Sequence, residues 1–177
     1  MRTLLEIALT QVGKREDPPG SNKGKDVEGY LSAVGLGGGY AWCMAFVVWC
    51  AKLAAKEQNI PLTLKATGGV LDQWRRVPAS TKLVQDVADS SPGAKAFRDK
   101  QIKAGFKLVQ NPAPGDIFIM DFGKGLGHTG IVKSVGKDGL IYTVEGNTDA
   151  NGSRTGGQVM QRFRKKSAIL GYIRTGL

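Results

Sequence analysis

The sequence predicts an α+β fold, with helices before Asn111 and strands after it. Three observations carry this. Apolar residues recur at helical spacing through the N-terminal part. Short apolar runs bounded by Gly, Pro and Asp fill the C-terminal part. Two of those runs are joined by Gly136-Lys137-Asp138-Gly139, a hairpin signal that implies antiparallel pairing. Helices first and strands later is the α+β order, not the alternation of a parallel α/β sheet.

Leu4, Leu5, Ala8, Leu9 and Val12 share one helical face, which predicts an amphipathic first helix over Met1 to Val12. Gly13 to Gly24 holds two prolines and three glycines and reads as a loop. Val27 to Val34 predicts a short helix, followed by the flexible segment Gly35-Leu36-Gly37-Gly38-Gly39. Trp42 to Gln58 predicts a central helix. Its first half is apolar on every side and therefore buried; its second half turns amphipathic at Lys52, Lys56 and Glu57. Thr67 to Arg76 and Ala94 to Ala104 are two further candidate helices. Pro112-Ala113-Pro114-Gly115 is a turn. Strands are predicted over Asp116 to Phe122, His128 to Val135, Leu140 to Asn147, Val159 to Phe163 and Ile169 to Arg174.

At 177 residues a single domain, 1–177, is expected, with a core that needs no disulfides. The 41% hydrophobic content excludes a disordered chain. Two cysteines make no disulfide framework, and one histidine makes no Cys2His2 zinc finger. The longest strongly apolar stretch, Tyr40 to Ala51, falls short of the roughly 18 residues of a membrane span, so none is expected. Glu6 interrupts what would be the apolar core of a secretory leader. The expectation is therefore a protein made in the cytoplasm without a signal peptide. The net charge of +10 points to anionic partners: nucleic acid, an acidic membrane surface or a wall polymer. From Ala150 to Leu177 there are six basic residues (Arg154, Arg162, Arg164, Lys165, Lys166, Arg174) and no acidic ones. No zinc-ligand spacing, aromatic RNA-binding signature or basic zipper accompanies them, so charge alone names no function.

The chemistry concentrates at Cys43. It stands at the expected start of the central helix, where unpaired N–H groups and the positive dipole end favour a thiolate. Cys50 is the internal control: it shares a face with Cys43 but lies deep in the helix, about 10 Å away, too far for a disulfide. It reads as core. A thiolate nucleophile needs a base, and the only histidine is His128, which opens a strand after the glycine-rich Gly123-Lys124-Gly125-Leu126-Gly127. If Gly136 to Gly139 form a four-residue loop, the numbers of opposed residues add to 275. His128 then faces Asn147, and Gly130 faces Glu145. Directly opposed residues share a sheet face, as do alternate residues of one strand. His128, Glu145 and Asn147 therefore fall on one face, with Gly130 clearing space beside Glu145. Either Glu145 or Asn147 could orient the imidazole.

These residues resemble the CHAP family, cysteine- and histidine-dependent amidohydrolases/peptidases of the papain-like superfamily. The resemblance is carried by Ala41-Trp42-Cys43-Met44-Ala45-Phe46-Val47, by Pro114-Gly115-Asp116-Ile117 with Gly127-His128-Thr129-Gly130-Ile131-Val132, and by Glu145-Gly146-Asn147-Thr148 followed by Gly152-Ser153-Arg154. It implies a papain-like fold, with the nucleophile at the start of a central helix packed on an antiparallel sheet. It further implies Cys43 as nucleophile, His128 as general acid/base, Glu145 as its orienting group and Asn147 assisting, with the Cys43 backbone N–H in the oxyanion hole. Some members bind calcium through an acidic loop before the cysteine. Glu16, Asp17, Asp26 and Glu28 lie there without convincing spacing, so no metal and no cofactor are expected.

The implied reaction is amide cleavage in peptidoglycan through a thioester acyl-enzyme, at the sugar–peptide link, the stem peptide or the cross-bridge. The implied setting is a phage lysin, an antibacterial effector or a wall-remodelling enzyme, acting on the cell wall after holin release or secretion-system delivery. Expected partners are peptidoglycan, anionic wall polymers held by the basic C-terminal stretch and, for an effector, an immunity protein; nucleic acid is not expected. Two other readings stay open at this point: a papain-like protease or deamidase acting on proteins, and a non-enzymatic basic nucleic-acid-binding module.

Overall fold

Thr3 and Glu6 start the first helix, α1 (Leu4–Thr10), with a capping box: the Thr3 hydroxyl accepts from the Glu6 N–H, and the Glu6 carboxylate accepts from the Thr3 N–H. The buried stripe is Leu4, Ile7 and Ala8. It is rotated from the expected face, because the helix stops at Thr10 and Val12 lies outside it, 40% exposed. The computed structural model describes residues 1–86, 92–151 and 156–177. The Gly152-Ser153-Arg154 segment lies outside the described residues.

Helix α2 (Lys25–Ser32) buries Val27, Tyr30 and Leu31. The central helix α3 (Cys43–Gln58) buries ten of its residues, including every position from Cys43 to Val48. Its sequence is apolar all round there because α1, α2 and the sheet surround it. Asn59 in the left-handed region ends it. Helices α4 (Val70–Arg76) and α5 (Pro92–Lys103) follow.

Seven strands form one sheet among the described residues: β1 (Lys82–Gln85), β2 (Lys107–Val109), β3 (Ile117–Gly123), β4 (Leu126–Val135), β5 (Ile141–Thr148), β6 (Gln158–Arg164) and β7 (Gly171–Ile173), in the order β2-β1-β7-β3-β4-β5-β6. Five are the predicted strands. The other two, β1 and β2, are joined through α5 and pair in parallel, the one departure from an antiparallel sheet. Lys82-Leu83-Val84-Gln85 and Lys107-Leu108-Val109 are too short to show a strand period; their pairing depends on β7, which β1 joins antiparallel. The α+β class holds, with this βαβ unit inserted.

Side chains alternate across the sheet. Ile117, Ile119, Ile131, Val144 and Ile173 pack with α1, α2 and α3. Their neighbours Phe118, Met120, Val132, Ile141 and Tyr172 form a second cluster with Leu83 and Ile169 on the other face.

The β4–β5 hairpin differs from its predicted form in a way that matters for the site. The loop is five residues long, closed by the Gly136 N–H donating to the Leu140 carbonyl at 2.9 Å. Beside it, Val135 pairs with Ile141 and Ser134 with Tyr142, one residue out of the expected register. Lys133 is then an extra residue, after which Val132 pairs with Thr143 and Ile131 with Val144, back in the expected register. A one-residue slip moves every side chain to the other face. Without the Lys133 bulge, the loop-proximal register would set Glu145 opposite Ile131, on the face away from His128.

Candidate active site

Cys43 takes the first helical position of α3, and no side chain caps this helix. Its backbone N–H has no acceptor one turn back within the helix and is free to serve a ligand. The preceding residue is fixed from the side: the Trp42 indole N–H donates to Glu16 Oε1 at 2.9 Å, both groups buried. Gly146 makes room for this anchor, since a Cβ there would stand 2.8 Å from the rings of Trp42 and Phe46. Cys43 itself is 5% exposed, while Cys50 is fully enclosed and burial pushes its thiol well above the ordinary range.

His128, near the start of β4, is 1% exposed. Its Nε2 lies 2.8 Å from Glu145 Oε2, and its ring sits 6.1 Å from that of Phe118. Nδ1 has no polar partner of good hydrogen-bond geometry. It is the ring nitrogen left to interact with the Cys43 thiol. Burial alone would lower the imidazole pKa; hydrogen bonding and charge interaction with Cys43 and Glu145 outweigh it and raise it to about 9.

Glu145 is fully buried on β5. Gly130 leaves its place open, for a Cβ there would meet Glu145 Cγ at 2.8 Å. Besides His128, the carboxylate accepts from the Thr143 hydroxyl at 2.7 Å and from Arg164 Nε at 2.8 Å, both on Oε1; Arg164 Nη2 binds Oε2. Burial would raise this carboxyl, but the Arg164 fork and His128 prevail and hold it at about 2. The arrangement is a buried carboxylate orienting an imidazole whose other nitrogen addresses a thiol at a helix start.

Asn147 does not join this relay. Its backbone adopts φ +56° where the β5–β6 pairing shifts between Glu145 and Thr148. Its amide is buried, with neither Oδ1 nor Nδ2 hydrogen-bonded. The choice left open by the strand register falls on Glu145 as the group bonded to His128.

Arg164 and Thr143 were not singled out from sequence. Thr143 was within reach of that reading, two residues before Glu145 on the same strand face. Arg164 counted only as one of six C-terminal charges, because no hairpin signal fixed how β6 pairs with β5. The pairing sets Arg164 opposite Ile141, from where its long side chain reaches Glu145 along the strand. Arg174 is likewise committed internally, its Nε and Nη2 donating to the two carboxylate oxygens of the buried Asp116. Asp116 thereby ties the Pro114-Gly115-Asp116 turn to the C-terminus. Arg154 lies outside the described residues.

A cavity of about 570 Å³ between Val84, Phe97, Gln110, Ile169 and Leu170 holds none of the reactive groups, so its size does not mark the chemistry. Among the described residues, no three His, Cys, Asp or Glu side chains gather as metal ligands, and no helix is long and apolar enough to cross a membrane.

A family model described as the CHAP domain matches residues 35–147. A structural match to the crystal structure of a wild-type endolysin, LysIME-EF1, has 18% identity and a TM-score of 0.39; it covers 99% of this chain and 65% of that one. None of the curated proteins matches the sequence.

Proposed function

The chain belongs to the CHAP domain family of peptidoglycan amidases and peptidases, and on that premise we propose that it hydrolyses an amide bond of peptidoglycan with Cys43 as nucleophile. The observation that carries this reading is the buried 2.8 Å contact of His128 Nε2 with Glu145, which leaves the opposite ring nitrogen for Cys43. With the thiol proton already held by His128, the Cys43 sulfur attacks the amide carbonyl carbon. The developing oxyanion meets the backbone N–H of Cys43 at the α3 start. The C–N bond breaks, His128 gives its proton to the leaving amine, and a thioester remains on Cys43. Water then attacks the thioester carbonyl, losing a proton to His128. Cys43 leaves as the thiol, and the product carries a new carboxyl group.

Glu145 keeps one imidazole orientation through both steps and supports the imidazolium between them. Arg164 and Thr143 hold Glu145 in turn. Asn147 is an auxiliary residue at the end of β5, outside the hydrogen-bonded relay. The substrate lies beyond the cytoplasmic membrane, so the enzyme acts as a phage lysin, an antibacterial effector or a wall-remodelling enzyme once it reaches the wall.

Purified sacculi offered beside an unfolded protein substrate test this reading. Soluble muropeptides released at a rate far above proteolysis are expected. Proteolysis without muropeptide release would instead establish a protein-directed cysteine protease.

A further inference from the structure

A second polar feature lies beside the nucleophile, outside the relay. Glu16 is 3% exposed. Its Oε1 accepts from the Trp42 indole, while its Oε2 is buried and has no hydrogen-bond partner. Glu16 also lines a cavity of about 200 Å³, walled on one side by the Arg15 to Gly20 loop and on the other by Gly156, Gly157 and Gln158.

The cavity is held by backbone pairing. Arg15 bridges to Gln158, and the Glu16 N–H donates to the Gly157 carbonyl at 2.8 Å. At Gly157, φ is +76° and a Cβ would lie 3.2 Å from the Glu16 carboxyl, so the wall facing Oε2 is backbone alone. A buried carboxyl oxygen without a donor is costly unless a ligand supplies one.

Its position connects it to the reaction. Glu16 grips Trp42, the residue before Cys43. The opposite wall hangs from β5, where the Gly156 N–H donates to the Asn147 carbonyl at 3.2 Å, two residues past Glu145.

Building on the peptidoglycan-hydrolase reading, we propose that this cavity is a subsite for an ammonium group of the substrate peptide, with Glu16 Oε2 as its acceptor. An ammonium presents three donors and a charge opposite to a carboxylate. Peptidoglycan offers such groups on the unlinked side chain of a stem diamino acid and on the amino end of a cross-bridge. Arg15 is exposed at the mouth of the cavity and leaves the Oε2 position open. The subsite selects substrates by a charged group close to, but separate from, the bond that is cut.

Two measurements on the full chain test it. In the first, glycinamide, an ammonium without a carboxylate, is titrated while the Trp42 indole N–H is followed by NMR, assigned with Trp42→Phe. A saturable shift in the wild type, absent with N-acetylglycinamide and absent in Glu16→Gln, is expected; Gln keeps an acceptor for the indole and removes the charge. No shift, or the same shift with the acetylated compound, overturns the subsite. This holds whether or not the protein cuts peptidoglycan.

The second compares native sacculi with sacculi whose free amines have been acetylated. Wild-type preference for native sacculi of at least about tenfold, collapsing toward one in Glu16→Gln, is expected. Equal wild-type rates on both overturn the subsite while leaving the hydrolase intact. Cleavage of neither overturns the hydrolase, and the glycinamide titration then decides the subsite alone.

Discussion

Glu145→Gln isolates what the buried carboxylate does for His128. The substitution keeps the shape of the side chain and an oxygen for Thr143 and Arg164, and removes the charge facing Nε2. In the wild type, burial lowers the imidazole pKa, yet Cys43 and Glu145 carry it to about 9 from the ordinary 6.5. That displacement corresponds to ~3 kcal/mol of preference for the imidazolium. Without the Glu145 charge, burial is opposed by Cys43 alone, and the midpoint should fall clearly below the wild-type value. The imidazolium then loses Glu145's share of that support, so turnover should drop by up to about 10²-fold. His128 is the only histidine in the chain, so its Cε1–H signal is a single assignable resonance. Titrating it by NMR in the wild type and Glu145→Gln, each also with Cys43→Ala, separates the carboxylate from the thiol. A midpoint that stays near 9 in folded Glu145→Gln would refute the assignment of Glu145 as its partner.

Cys43→Ala and His128→Ala should each abolish wall hydrolysis by several orders of magnitude, whereas Cys50→Ala should remain active at a cost in melting temperature; in the native protein iodoacetamide should modify Cys43 and spare the enclosed Cys50, as peptide mass mapping will show. Arg164→Met, which strips the fork from a buried carboxylate, should destabilise the fold by about 3 kcal/mol in denaturant titrations, with Arg164→Lys intermediate. Because the folded pKa of His128 lies above its unfolded value, its stabilisation is complete below about pH 6.5 and lost as pH rises through about 9; Glu145, held at about 2, contributes above about pH 4.5 and loses that as pH falls through about 2. Melting temperature should therefore fall on the alkaline side, and Glu145→Gln should reduce His128's share of that fall. Deleting Lys133 removes the extra residue yet leaves Val132 opposite Thr143 and Gly130 opposite Glu145, so the deletion and Lys133→Ala should both retain sacculus hydrolysis; loss of hydrolysis in a folded deletion variant would contradict this register.

The helices and five of the strands were legible because their periods are long enough to read, and Cys43 was legible because glycines precede an all-apolar helix. The pairing of His128 with Glu145 was read from an assumed hairpin register that is wrong beside the loop and right at the site. Lys133 makes up the difference, and no residue type announces a bulge there. A second irregularity, where the β5–β6 pairing shifts between Glu145 and Thr148, takes Asn147 out of the relay that strand alternation assigned to it. Arg164 and Glu16 stayed hidden for another reason. Each reaches its partner across a sequence separation that only the assembled sheet closes, and a charged residue in sequence looks like one more solvated side chain.

Hydrolysis of purified sacculi in H₂¹⁸O, with the soluble products identified by mass spectrometry, tests the central claim most directly. The wild type should release fragments in which each new amine is matched by one new carboxyl carrying one ¹⁸O, and Cys43→Ala should release none. Fragments that arise by glycan cleavage, release that persists in Cys43→Ala, or no release from any wall chemistry by folded wild-type protein would contradict it.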